Sequence, residues 1–124
     1  MDAQQLQKRT KDFSLAIIRL YKGLARTPEA QILGRQLLRS ATSVAANYRA
    51  VCRARSNREF FAKICIVVEE ADETVLWLEL IKESGVADIE TSILREANEI
   101  LYIMAASLKT AKNNLNRSAQ SPNQ

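Results

Sequence analysis

Histidine does not occur in the 124 residues. Its absence removes both the commonest transition-metal ligand and the commonest general base. Glycine appears three times and proline twice, which leaves too few turn formers for a many-stranded sheet. The two cysteines, Cys52 and Cys65, form no CxxC pair, and their expected places at different heights on neighbouring helices favour reduced, half-buried thiols over a bridge. The chain starts MDAQQLQKRT, without an apolar stretch of signal-peptide type, and Asp or Glu interrupts each later apolar run before it could span a bilayer. The expectation is a soluble, cytoplasmic protein with no membrane partner.

What is present is apolar and charged residues, 47% and 26% of the chain, a balance that folds rather than staying disordered, over one domain's length. The net charge is +4 and unevenly spread. Residues 1 to 63 hold 13 Lys/Arg and 4 Asp/Glu, whereas residues 64 to 124 hold 5 and 10. A split this large implies a polar partner for the basic half, or packing of the two halves against each other.

Apolar residues recur at helical spacing in four segments. The first runs from about Gln4 to Ala25, with Leu6, Phe13, Ile17, Leu20 and Leu24 on one stripe. Thr27 and Pro28 supply an N-cap and a first-turn proline for the second, which runs to about Arg53 with Leu37, Ala41, Val44, Tyr48 and Val51 facing inward. Ser56 and Glu59 have capping-box spacing and open the third, which continues to about Ser84 and is stopped by Gly85. Asp88 is placed to cap the fourth, whose stripe includes Ile93, Ala97, Ile100, Met104, Leu108 and Ala111. Short connections between such helices predict an all-α, up-down-up-down antiparallel four-helix bundle over residues 1–115, with a polar, frayed tail over 116–124.

On the second helix, Arg35, Arg39, Arg49 and Arg53 fall about 140° to 220° from Val44 at 100° per residue, opposite the core. Arg55 and Arg58 extend the row into the following turn. Two outcomes are open for these six arginines: a phosphate-binding face, or a solvated face paired with acids. No lysine interrupts the segment from Arg26 to Arg58, which leans toward planar recognition of phosphate or carboxylate. Ser40, Ser43 and Asn47 form a narrow polar strip between core and arginines, suited to fixing a helix–helix register through the asparagine. Tyr48 lies mid-arc and reads as core rather than as a base-stacking platform.

The third helix is apolar on two sides. Phe61, Ile64, Val68, Ala71, Val75 and Leu78 make one face, and Ile66, Trp77 and Leu80 gather on another. The second face has either another subunit to meet, with an exposed Trp77 as anchor, or a neighbouring helix that Trp77 covers. The acidic run EEADE, Glu69 to Glu73, comes without histidine, nucleophile, Gly-rich phosphate loop or oxyanion motif. Asp72 and Glu79 are placed near the buried arc. No enzyme activity, metal or cofactor is expected; the acids are instead neighbours for the arginine-bearing helix or for another subunit's arginines.

The stretch RQLLRSATSVAANYRAVCRARSNREFFAKICIVVEEADETVLWLELIKESG, residues 35 to 85, resembles the middle of the small four-helix-bundle proteins related to the protein encoded by intervening sequences in bacterial large-subunit ribosomal RNA. The likeness is carried by Arg39 and Ser40, by Ser43, Val44 and Asn47, by Phe60 after the basic turn, and by the acidic helix from Glu69 through Leu78 and Glu79. Where many relatives place a Glu-Gly pair after the asparagine, this chain has Tyr48 and Arg49, so any role of that glutamate does not transfer. The resemblance implies a homopentamer and an RNA or DNA partner. Through a distant branch that assists the reverse transcriptase of diversity-generating retroelements, it also implies a protein partner of that kind. The combined expectation is a non-enzymatic oligomer that binds nucleic-acid backbone through Arg35, Arg39, Arg49, Arg53, Arg55 and Arg58, with Ile66, Trp77 and Leu80 at the subunit interface. The alternative is an assembly or adaptor protein whose arginines pair with the acidic helix.

Overall fold

A computed structural model describes residues 1–120. It contains four α-helices: α1 (Ala3–Lys22), α2 (Pro28–Val51), α3 (Asn57–Glu83) and α4 (Thr91–Gln120). The first three begin on side chains that accept from otherwise unpaired backbone N–H groups. Asp2 accepts from the Gln5 N–H at 2.8 Å while the Gln5 side chain accepts from the Asp2 N–H at 2.9 Å. Thr27 and Ser56 accept from Ala30 and Glu59. The Glu59 carboxylate reaches back to the Arg55 N–H at 3.4 Å, one residue before the partner that a closed capping box requires. Gly85 follows the α3 C-cap with φ +78°, a left-handed conformation that only glycine adopts cheaply.

Three boundaries differ from the expectation. Helix α1 ends at Lys22, where the Gly23 N–H turns back onto the Leu20 carbonyl. Asp88 does not cap α4, which starts at Thr91, with the Glu90 carbonyl accepting from Ile93 and Leu94. Ile89 is 6% exposed and belongs to the core, so the connection packs inward before the last helix can begin. That helix then runs through Gln120, so the predicted frayed tail is helical over 116–120, and 121–124 lie outside the described residues.

Each helix packs on its chain neighbour, and α1 meets α4 over the smallest contact. The buried Ser14 hydroxyl, 3.2 Å from the Ala41 carbonyl, sets α1 against α2. Thr74 and Ser40, 2.9 Å apart, set α3 against α2. The core is filled by Phe13 and Ile17, Leu37 and Val44, Ile64 and Leu78, and Ile100 and Met104. Gly34 sits mid-helix because a Cβ there would meet the Leu24 side chain at 2.6 Å and the Tyr21 ring at 3.0 Å; the end of α1 and the turn after it lie directly against α2.

The buried stripe of α3 is rotated from the expected one. Val67, Thr74 and Ile81 are buried, whereas Phe61, Val68 and Val75 are half-buried. At 100° per residue this turns the centre of the face by about 60° toward α2. Because α2 makes the larger of α3's two packing contacts, α3 presents itself to that neighbour.

Candidate nucleic-acid interface

Arg35 marks a line along α2, which ends at Val51, so that Arg53, expected on the helix, stands in the turn after it. Arg39 and Arg49 lie about 40° to either side of that line, and the two neighbouring helices treat them in opposite ways. Arg39 leans onto α3, its Nη1 3.2 Å from Glu70 Oε2 and its Nη2 2.8 Å from Glu73 Oε1. It is therefore a bridge within the subunit and leaves the set of six free guanidinium groups. Arg49 leans the other way, over a groove of about 420 Å³ shared with α1 and lined by Gln7, Lys11, Ser14, Thr42, Ala45 and Ala46. No carboxylate lines this groove, and Lys11 joins Arg49 there. The sequence did not single out Lys11, since its position depends on the α1–α2 register.

Arg55 is 3.7 Å from Glu59, at i,i+4 and largely in water, a contact worth little. Arg35, Arg49, Arg53 and Arg58 are exposed and have no carboxylate partner within 4.0 Å among the described residues. In the polar strip, Ser40 rather than Asn47 makes the interhelical contact; Asn47 donates to the Ser43 carbonyl of its own helix at 2.9 Å. Tyr48 is 7% exposed and part of the core. Its burial, and then the neighbouring Cys52, push its phenol above the usual tyrosine range.

The antiparallel arrangement gathers charge at one end. Where α2 turns into α3, α1 begins and α4 ends. Lys8 and Arg9 of α1, Arg49 of α2, and Arg53, Arg55 and Arg58 of the corner meet Lys63 of α3 and Lys109, Lys112 and Arg117 of α4. Asp2 and Glu59 lie at that end, and Asp12, Glu96 and Glu99 reach Lys8 and Arg9 from further along the bundle. The rest of the molecule carries more carboxylates than cations, so the charge split between the chain's halves becomes a polarity along the bundle.

Arg9 alone of these is strongly held. Its Nε and Nη2 bind Glu96 at 2.7 and 2.6 Å, and Glu99 lies at 2.8 Å. These hydrogen bonds, Glu96 first, keep its guanidinium protonated beyond the ordinary arginine range. They tie α1 to α4, the helix pair with the slightest packing.

The second apolar face of α3 is only partly free. Ile66 and Leu80 are 44% and 40% exposed, as is Leu76 at 46%. Trp77, expected to be exposed, is half-buried against the core, because the rotation of α3 toward α2 carries it inward. Its Nε1 is buried without a hydrogen-bond partner among the described residues. Asp72 and Glu79 are exposed rather than close to the core. Cys52 and Cys65 are free, Cys52 exposed and Cys65 half-buried. No helix among the described residues is long and apolar enough to cross a membrane.

The profile of the 23S rRNA-intervening sequence protein family matches residues 3–106. The chain belongs to this family. A solved protein of unknown function from the S23 ribosomal protein family of Bacteroides thetaiotaomicron VPI-5482 is similar to it, with TM-score 0.76 and 32% identity. That similarity covers 84% of this chain and 98% of the other. No curated protein matches the chain. Membership thus extends from the start of α1 to the middle of α4, and the last part of α4, with Lys109, Lys112 and Arg117, lies beyond the matched range.

Proposed function

We propose that this member of the intervening-sequence protein family is a non-enzymatic oligomer that binds the phosphate backbone of RNA or DNA. The basic end of the bundle is the contact surface. The observation that carries this is the set Arg49, Arg53 and Arg58 at that end, exposed and without carboxylate partners among the described residues, with the equally unpaired Arg35 extending the row about 21 Å back along α2. Lys11 stands beside Arg49 over an acid-free groove. Guanidinium groups in water lose little on meeting phosphate and release its counterions, so affinity falls steeply with salt and depends little on sequence. Repeating a weak face around an oligomer, a pentamer by analogy with the family, multiplies it into avidity. The exposed Ile66, Leu76 and Leu80 of α3 supply the apolar contact between subunits. Titration against a short duplex and a structured RNA at two salt concentrations tests this; absence of binding at low salt removes it.

A second reading is favoured by one observation. Arg39 pairs with Glu70 and Glu73, which is how an assembly or adaptor protein would use its arginines. On that reading the remaining arginines meet the acids of an adjacent subunit, and replacing Arg49 and Arg53 by Ala loosens the oligomer.

A further inference from the structure

The most exposed large side chain with apolar character among the described residues is Tyr102, 76% open to solvent on α4. It stands at the mouth of a groove of about 510 Å³ between the start of α3 and the second half of α4. Phe60, Ile103 and Ala111 are apolar lining, and Asn57, Ser107 and Asn114 are polar lining. The Asn57 and Asn114 amides make no hydrogen bond to another described residue. Arg117 follows Thr110 and Asn114 at i+7 and i+3, on the same stripe of α4 as Tyr102 and Ala106. It has no ion-pair partner among the described residues. Four of the groove's residues, Ser107, Thr110, Ala111 and Asn114, lie beyond the stretch that matches the family. The groove is therefore built in part from sequence that the family match does not reach.

An open aromatic face, free amides and a cation on one wall are the elements by which proteins hold unstacked bases. The ring takes the base by stacking, amides meet its polar edge, and a guanidinium takes the phosphate. The volume lies within the roughly 300–1,000 Å³ of small-ligand clefts. We propose that the α3–α4 groove receives a short single strand of about three nucleotides, with one unstacked base laid against Tyr102. Asn57 at the start of α3 and Asn114, about 18 Å further along α4 than Tyr102, meet the edge of a later base, and Arg117 a later phosphate. The proposal rests on the nucleic-acid reading above and narrows it to single-stranded or looped substrate, because bases inside a duplex present no free face. A polyanion rather than a second copy of the chain is the occupant that charge favours. The groove opens at the basic end, with Arg58, Lys109 and Arg117 nearby in the sequence, so two such ends repel each other and attract phosphate.

The test uses the full chain at low salt with labelled oligonucleotides of about 12 nucleotides, within the site sizes known for single-strand binders. A single strand and its duplex are compared on wild type, Tyr102→Ala, Tyr102→Phe and Arg53→Ala/Arg58→Ala. Tyr102→Ala is expected to weaken the single strand about 5- to 150-fold, the loss of one stacked base. It should leave the duplex within about 2-fold, and Tyr102→Phe should restore the single strand. Equal effects on both forms, or none, overturn the groove. If Tyr102→Ala does nothing while the arginine pair abolishes binding, the groove falls and the phosphate face stands. If wild type binds neither form, both fall. A change in sedimentation with single-strand affinity intact identifies the groove as a contact between copies instead.

Discussion

Thr74 on α3 and Ser40 on α2 hold their hydroxyl oxygens 2.9 Å apart at the centre of the bundle, with both residues at 2% exposure or less. The Thr74 oxygen is also 2.8 Å from the Glu70 carbonyl, and the Ser40 hydroxyl donates to the Leu37 carbonyl at 3.2 Å. One proton on Thr74 therefore serves two acceptors, and the pair fixes how far α3 can slide along α2.

Thr74→Val keeps the shape and removes the hydroxyl. Ser40 retains its Leu37 partner, so the expected loss is about 1 kcal/mol. Ser40→Ala should cost a similar amount, and the double variant less than the two together, because they share one interaction. Urea unfolding of the four proteins measures this. Full additivity would show that the contact carries no coupling.

Arg39, and Arg49 and Arg53 further along the row, should separate cleanly. Arg39 is half exposed and already paired with Glu70 and Glu73, so Arg39→Ala is expected to cost less than about 1 kcal/mol of stability and to leave oligonucleotide affinity nearly unchanged. Arg49→Ala and Arg53→Ala should do the reverse. Each would weaken binding to all sequences alike and flatten the duplex salt dependence by about 0.9 in the log–log slope. If Arg39→Ala weakens binding as much as the other two, its ion pairs do not withhold it from phosphate.

Trp77 contributes packing and Leu80 contributes a free surface, so their substitutions should differ in kind. Trp77→Phe removes a buried donor that has no partner among the described residues and should change stability by no more than about 1 kcal/mol, while Trp77→Ala should lose about 3 kcal/mol through the void it leaves. Leu80→Asp and Ile66→Asp, at exposed positions, should leave the subunit folded and move the sedimentation coefficient toward monomer. An unchanged oligomer in both would place the subunit contact elsewhere.

Tyr48 links burial to alkaline stability. Its phenol holds its proton more tightly in the fold than in the unfolded chain, chiefly through burial and then through Cys52. The corresponding stability is complete below about pH 10 and is lost as pH rises from there toward the higher folded value. Unfolding midpoints at about pH 7 and pH 11 should fall apart more for the native chain than for Tyr48→Phe. Equal losses would show that Tyr48 ionises without penalty.

The helices and their count were legible because local signals agree: Thr27 before Pro28, Ser56 three before Glu59, Gly85 after α3, and apolar residues at helical spacing. Placement of Asp88 as a cap failed because Ile89 is drawn into a core that only the other three helices create. The candidate site was half legible. That the arginines of α2 lie opposite its core follows from angle alone. That Arg39 is consumed by α3 while Arg49 faces Lys11 depends on which helix stands on which side.

The sequence by itself determined four amphipathic helices, a buried Tyr48 and an excess of cations in the first half, since each is set by residues within a few turns of one another. Tertiary structure alone decided the rotation of α3 that half-buries Trp77, the clamp of Glu96 and Glu99 on Arg9, and the convergence of late α4 with the α2–α3 corner. Those outcomes depend on register and side-by-side order between helices far apart in the chain. Burial of the whole apolar surface at once sets these, and no local spacing encodes them.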